Sequence, residues 1–191
     1  MLDRKLIAFA YTFLGGVGVV GALATARDPI ATRPLLDLPL AANLTLSLAL
    51  GLALAALAIV SARWLVARYS WAQSLHRELA GVVRGNSDRD LWLIAIASGV
   101  GEELLFRGLG TQLLGVVLSS ILFGALHQTR GPARWAWALW ATLMGFLLAG
   151  IFVLTGSLLG AVVAHVLTNA KNLRFVRDHG APPAPRPLVS V

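Results

Sequence analysis

Glu102, Glu103 and Arg107 stand inside a long apolar run. Residues 91–100 before them carry no charge, and residues 109–126 after them contain no ionisable side chain. A charged group in hydrocarbon costs from a few kcal/mol upward, so such residues usually mark a functional site. Further along the chain, His127, His165 and Asn169 interrupt apolar runs of their own. A glutamate and a histidine can activate a water molecule, while a second histidine and an asparagine can donate hydrogen bonds to an oxyanion. The same Glu102, His127 and His165 could instead hold a metal ion with water as fourth ligand. Other hydrolytic sites fit poorly. The chain has no cysteine, no HExxH and no aspartate within its apolar runs. Ser157 precedes His165 but sits in a turn away from the depth of His127, so a serine–histidine dyad is disfavoured. Ser98 and Ser157 are expected to bond their own helix backbone.

Helical spacing sorts the charges. Glu103 and Arg107 are four apart and share a face, so they can neutralise each other. Glu102 lies about 100° around the helix from Glu103 and is left to face a cavity. The midpoint of residues 102 and 127 falls beside Gly115. A hairpin turning there would set Glu102 and His127 at equal depth on antiparallel neighbours. His165 lies on the order of 12 Å into its run from the turn at Thr155-Gly156, so a third helix can bring it to the same level. Asn169 shares the face of His165. Phe123 shares that of His127, and its ring could wall the imidazole.

The elements that must position these residues are membrane helices. The 191-residue chain is 57% hydrophobic and only 13% charged, with a mean hydropathy of +0.75. A soluble domain would carry about 25% charged residues. Spans of roughly 20 apolar residues are expected at about 6–25, 40–62, two between 90 and 128, 135–154 and 158–173. Gly15, Gly16, Gly18 and Gly21 would admit a close neighbour to the first. That first run also reads as a signal peptide with small residues at Ala22, Ala24 and Ala26, a reading that the charge topology disfavours. Residues 26–39 form a loop with three prolines. Residues 63–84 alternate apolar and charged side chains at helical spacing and read as an amphipathic interfacial helix. Asp88 is a plausible cap for the helix that follows. The fold class is therefore all-α and polytopic: about six transmembrane helices plus one amphipathic helix. Residues 1–62 give two N-terminal spans, 90–173 a four-helix core, and 174–191 a proline-rich tail expected to be disordered.

Charge sets the topology. With six spans and the N-terminus inside, 13 of the 16 Lys and Arg fall on the inner side, and only Arg27, Arg33 and Arg107 do not. Both termini are thus expected in the cytoplasm, with the tryptophans anchoring near the inner interface. The net charge of +7 is explained by that asymmetry, so no nucleic-acid partner is inferred.

In order, Glu102-Glu103-Leu-Leu-Phe-Arg107, Phe123-Gly-Ala-Leu-His127 and His165-Val-Leu-Thr-Asn169 give EExxxR, FxxxH and HxxxN. Together, on successive spans over about residues 90–173, they resemble the CPBP family, the CAAX-processing and bacteriocin-processing (Abi) intramembrane endopeptidases. Members often have a longer, charged connection between the first two motifs, which here is short and apolar. The resemblance implies a membrane protease acting on membrane proteins or peptides. Glu102 and His127 would activate water, His165 and Asn169 would stabilise the oxyanion, and Glu103 and Arg107 would support them. It is compatible with metal-independent glutamate chemistry, which is favoured and needs no cofactor, and with a zinc site on Glu102, His127 and His165. The Ala- and Arg-rich composition suggests a bacterial inner-membrane protein. Intramembrane Glu and His also mark transporters and proton relays, but no inverted repeat is visible. A non-catalytic immunity scaffold is the third class, and the intact motifs weigh against it.

Overall fold

A computed structural model describes residues 4–129 and 131–180. Seven helices account for most of them: α1 Arg4–Ala24, α2 Leu40–Arg68, α3 Ser70–Val83, α4 Asp88–Glu103, α5 Gln112–Leu126, α6 Arg134–Thr155 and α7 Leu159–Asp178. A π-helical segment, Leu104–Thr111, joins α4 to α5. Among the described residues there is no strand, only an isolated bridge between Ala31 and Ser157. Among the described residues, four stretches are long and apolar enough to cross a membrane: Lys5–Ala24, Leu40–Arg68, Asp88–Leu126 and Arg134–Thr155. Large apolar side chains such as Phe9, Phe13, Leu57, Leu126 and Leu139 stand on the outer surface, as lipid-facing residues do. The protein is an all-α polytopic membrane protein.

The 39-residue stretch Asp88–Leu126 is folded in two. Gly115 adopts φ 78°, ψ 171°, a backbone conformation open almost only to glycine, and the chain reverses there. Pairs across the reversal are centred on residues 114–115. Thr111 Oγ1 lies 3.0 Å from Ser119 Oγ, and the rings of Phe106 and Phe123 meet edge to face at 5.0 Å. The turn expected at Gly115 is thus where the hairpin closes, although no charged loop marks it.

α7 does not qualify as a span by its own apolarity, because His165, Asn169, Lys171, Asn172, Arg174 and Arg177 dilute it. It is the inner helix, packed against α2, α4, α6 and α3, so its polar face meets protein rather than lipid. Small residues make the crossings close. A side chain on Gly160 would strike the Ser47 carbonyl, and one on Gly101 would strike the Tyr11 carbonyl. The seam between α1 and the acidic helix uses Gly15, Gly18 and Gly21 as expected, whereas Gly16 faces open space. Leu54, Ala58, Met144, Leu148, Ala161 and Ala164 fill the core between α2, α6 and α7.

Four boundaries differ from the sequence reading. Arg63–Arg68 continues α2, and the chain breaks at Tyr69, so the amphipathic helix is only Ser70–Val83. Its polar face is not all exposed, because His76 is buried and bonds the His179 carbonyl of α7. Ser87 rather than Asp88 caps α4, in a reciprocal capping box with Asp90. Asp88 instead ties the start of α4 to Arg174 and Arg177 near the end of α7. That tie extends α7 through Asp178, five residues beyond the expected end. Beside Arg177, the hydrogen bond from its guanidinium holds the exposed Asp178 carboxyl below its ordinary range. The expected disordered tail otherwise falls on residues 181–191, outside the described residues, as does Arg130 in the α5–α6 loop.

Because a side chain at Gly115 would meet open space, only its backbone conformation forbids substitution. Gly115→Ala should therefore cost about 1–3 kcal/mol of stability, read as a lowered unfolding midpoint in detergent. Gly150→Ala, a helical glycine with nothing near it, should leave that midpoint unchanged or raise it.

Candidate active site

Three helical elements bring the six motif side chains and Phe123 to one place. The hairpin supplies Glu102, Glu103 and Arg107 on one arm and Phe123 and His127 on the other, and α7 supplies His165 and Asn169. At their centre is a buried ion pair. Arg107 Nη1 donates to Glu103 Oε1 at 2.9 Å, with the two side chains 1% and 0% exposed. Arg107 Nη2 donates to the Gly145 carbonyl of α6 at 3.2 Å, and the guanidinium lies 4.3 Å from the centre of the Phe123 ring. Glu103 Oε1 also accepts from His165 Nδ1 at 2.7 Å. Glu103 is thus paired with Arg107 as the spacing predicts, and it also orients the second histidine, which the spacing does not show.

Glu102 is free of Glu103's arginine and faces the two imidazoles. Its Oε2 lies 3.4 Å from His127 Nε2 and 3.9 Å from His165 Nε2, and it has no hydrogen-bond partner in the protein. Tautomers follow from the partners. His127 Nδ1 sits 2.7 Å from the Phe123 carbonyl, which can only accept, so that nitrogen carries a proton. His165 Nδ1 carries one for the same reason, facing Glu103. Both rings therefore turn Nε2 toward Glu102. Phe123 walls both, with ring centres 4.3 Å from His127 and 5.9 Å from His165. Asn169 is placed differently. Its Nδ2 donates to Ser98 Oγ on α4 at 3.0 Å, which leaves its second N–H for another acceptor. Ser98 also bonds its own helix at Ala95, as expected of a membrane serine, but its second role as Asn169's support is visible only in the fold.

These residues open onto a cavity of about 290 Å³ between α2, α3, α4, α6 and α7. Trp71, Trp137 and Trp140 line it rather than only anchoring the chain at an interface, and Trp137 lies 6.1 Å from His127. Tyr11 of α1 also reaches in, with its hydroxyl directed at Glu102. Tyr11 was not singled out by the sequence. The available signal is its position, because membrane tyrosines favour the interfaces and this one sits well inside its span. Among the described residues, no three His, Asp or Glu side chains are gathered as a ready metal site.

Residues 89–171 match the family model for type II CAAX prenyl endopeptidase Rce1-like proteins. That segment holds every motif residue and excludes Tyr11, α2 and α3. The uncharacterised protein YpbD of Bacillus subtilis (strain 168) is 36% identical over 78 residues, covering 41% of this chain and 39% of that protein. No solved structure matches.

Breaking one side of the buried pair strands a charge. Arg107→Leu should destabilise the protein by about 3–5 kcal/mol, whereas Glu103→Gln with Arg107→Met should cost much less. Unfolding midpoints of the single and double variants check this.

Proposed function

We propose that this chain, whose residues 89–171 match the Rce1-like family model, is an intramembrane endopeptidase that hydrolyses a peptide bond of a membrane-associated protein or peptide. The observation that carries this is the placement of Glu102 Oε2 against His127 Nε2 at 3.4 Å inside a cavity walled by apolar helices. A water about 2.8 Å from both atoms is held for attack. Its oxygen bonds the scissile carbonyl carbon while Glu102 takes its proton. The negative charge then developing on the carbonyl oxygen is met by the second N–H of Asn169 and, when the His165 ring carries both protons, by its Nε2–H, its Nδ1–H being held by Glu103. Collapse of the tetrahedral intermediate breaks the C–N bond, and the proton on Glu102 passes to the leaving nitrogen. Phe123, Arg107 and Glu103 position these groups without touching the reacting atoms. The reaction needs no cofactor.

Orientation follows from charge. The chain sits in a bacterial inner membrane with both termini on the cytoplasmic side, where Arg89 at the start of α4 and Arg174 and Arg177 near the end of α7 also fall. A C-terminal reporter active only outside the cell would reverse that orientation.

Substitution in purified protein tests the chemistry. Glu102→Gln and His127→Ala should each lower cleavage of a fluorogenic membrane-peptide library by at least 10³-fold, and Asn169→Ala by about 10²–10³-fold. Full cleavage by Glu102→Gln would exclude the mechanism. Loss of wild-type activity to a chelator, with recovery on zinc, would move Glu102, His127 and His165 into the role of metal ligands.

A further inference from the structure

The hydrolytic step uses only one end of the cavity. From His165 the polar face of α7 continues through Thr168 and Asn172 to the level of Phe175, and all four line the same cavity. Ten residues of helix make that arm about 15 Å long. Opposite its far end is His76 of α3, which is 2% exposed and packs edge to face on Phe175 at 5.4 Å.

Three polar atoms along this arm are buried without a partner in the protein: Thr168 Oγ1, Asn172 Oδ1 and His76 Nδ1. Such atoms are few in folded proteins, and each one costs stability. Thr168 is unusual for its setting. Thr45, Thr142 and Thr155 each donate to the carbonyl four residues earlier, the common resting arrangement for a helical threonine, and Thr168 does not. His76 is fixed by chemistry. Its Nε2 lies 2.7 Å from the His179 carbonyl and so carries the proton, which leaves Nδ1 as an acceptor. Asn172 Oδ1 can also only accept. Along α7 the arm therefore offers the Thr168 and Asn172 oxygens roughly a helical turn apart, about 6 Å, with the His76 acceptor beside its far end on α3. The N–H groups along one edge of an extended peptide recur every second residue, about 6.8 Å.

We infer that this arm, lined by Thr168, Asn172 and His76, is a substrate subsite that binds the main-chain N–H groups of an extended peptide running along α7 from the scissile bond. At about 3.3 Å per residue it holds roughly four residues on one side of the bond. The inference rests on the endopeptidase reading for the position of that bond, but not for the binding itself. Recognition through the main chain sets a length requirement with little demand on side chains, as in other sites that bind an extended strand by its edge.

Binding is measured on full-length Glu102→Gln protein in detergent, which separates it from turnover. The probes are fluorescent apolar 12-residue peptides from a positional library, with versions trimmed residue by residue from either end. Thr168→Val and Asn172→Leu, each added to Glu102→Gln, should weaken the best peptide about tenfold. N-methylation of the matching backbone nitrogen should weaken it equally, with no further loss when the two changes are combined. Trimming the arm side below about four residues should abolish the effect of both variants. Neither variant removes a bond present in the free protein, so their unfolding midpoints should stay level or rise. Equal affinity in both variants, a loss that is the same for full and trimmed peptides, or no peptide binding at all would overturn the subsite. Binding with this pattern but no cleavage by the wild-type protein would retain the subsite and reject the endopeptidase.

Discussion

A guanidinium that is 1% exposed and a carboxylate that is fully buried make the Glu103–Arg107 pair the constraint to which the rest of the bundle answers. Neither charge can stay in an apolar interior unless every strong donor and acceptor nearby is directed at it. Arg107 is therefore met by Glu103 on its own segment, by the Gly145 carbonyl of α6 and by the face of Phe123 on the returning arm of the hairpin. Glu103 is met in turn by His165 of α7. One ion pair thus fixes the mutual positions of α4, α5, α6 and α7. Glu102, next to it in sequence, is turned to the one place where no protein group completes its Oε2.

The same logic explains why α7 is the least apolar of the long helices. A helix whose partners cover it on several sides can carry histidine, asparagine and threonine, because those groups meet each other, the α4 serine or a cavity rather than lipid. The helices that do face lipid carry leucine, valine and phenylalanine outward and keep small residues for the seams.

Much of this was legible in the sequence, because membrane helices advertise themselves by composition and an isolated charge in them is conspicuous. The four-residue spacing of Glu103 and Arg107, and the common centre of Glu102 and His127 near Gly115, needed only helical geometry. What could not be read depends on contacts between segments distant in the chain. Tyr11 approaches Glu102 because Gly101 lets α1 lie against α4. Ser98 serves Asn169 across 71 positions, and nothing in either local sequence points to the other. His76 looked like part of a solvated face, because an amphipathic helix at an interface and one docked on α7 have the same periodicity. The break at Tyr69, which separates α3 from α2, was likewise hidden in a run of helix-compatible residues.

The reversal at Gly115 also gives the site an order of assembly. Glu102 and His127 belong to one continuous helical hairpin, so they can meet as soon as that hairpin is inserted, with little chain to close. His165 and Asn169 lie on the last described helix, made after α6. A chain synthesised from its N-terminus therefore holds an incomplete centre until α7 slots between α2 and α4. The constellation is complete only once α7 is in place, when the helices made before it already surround it.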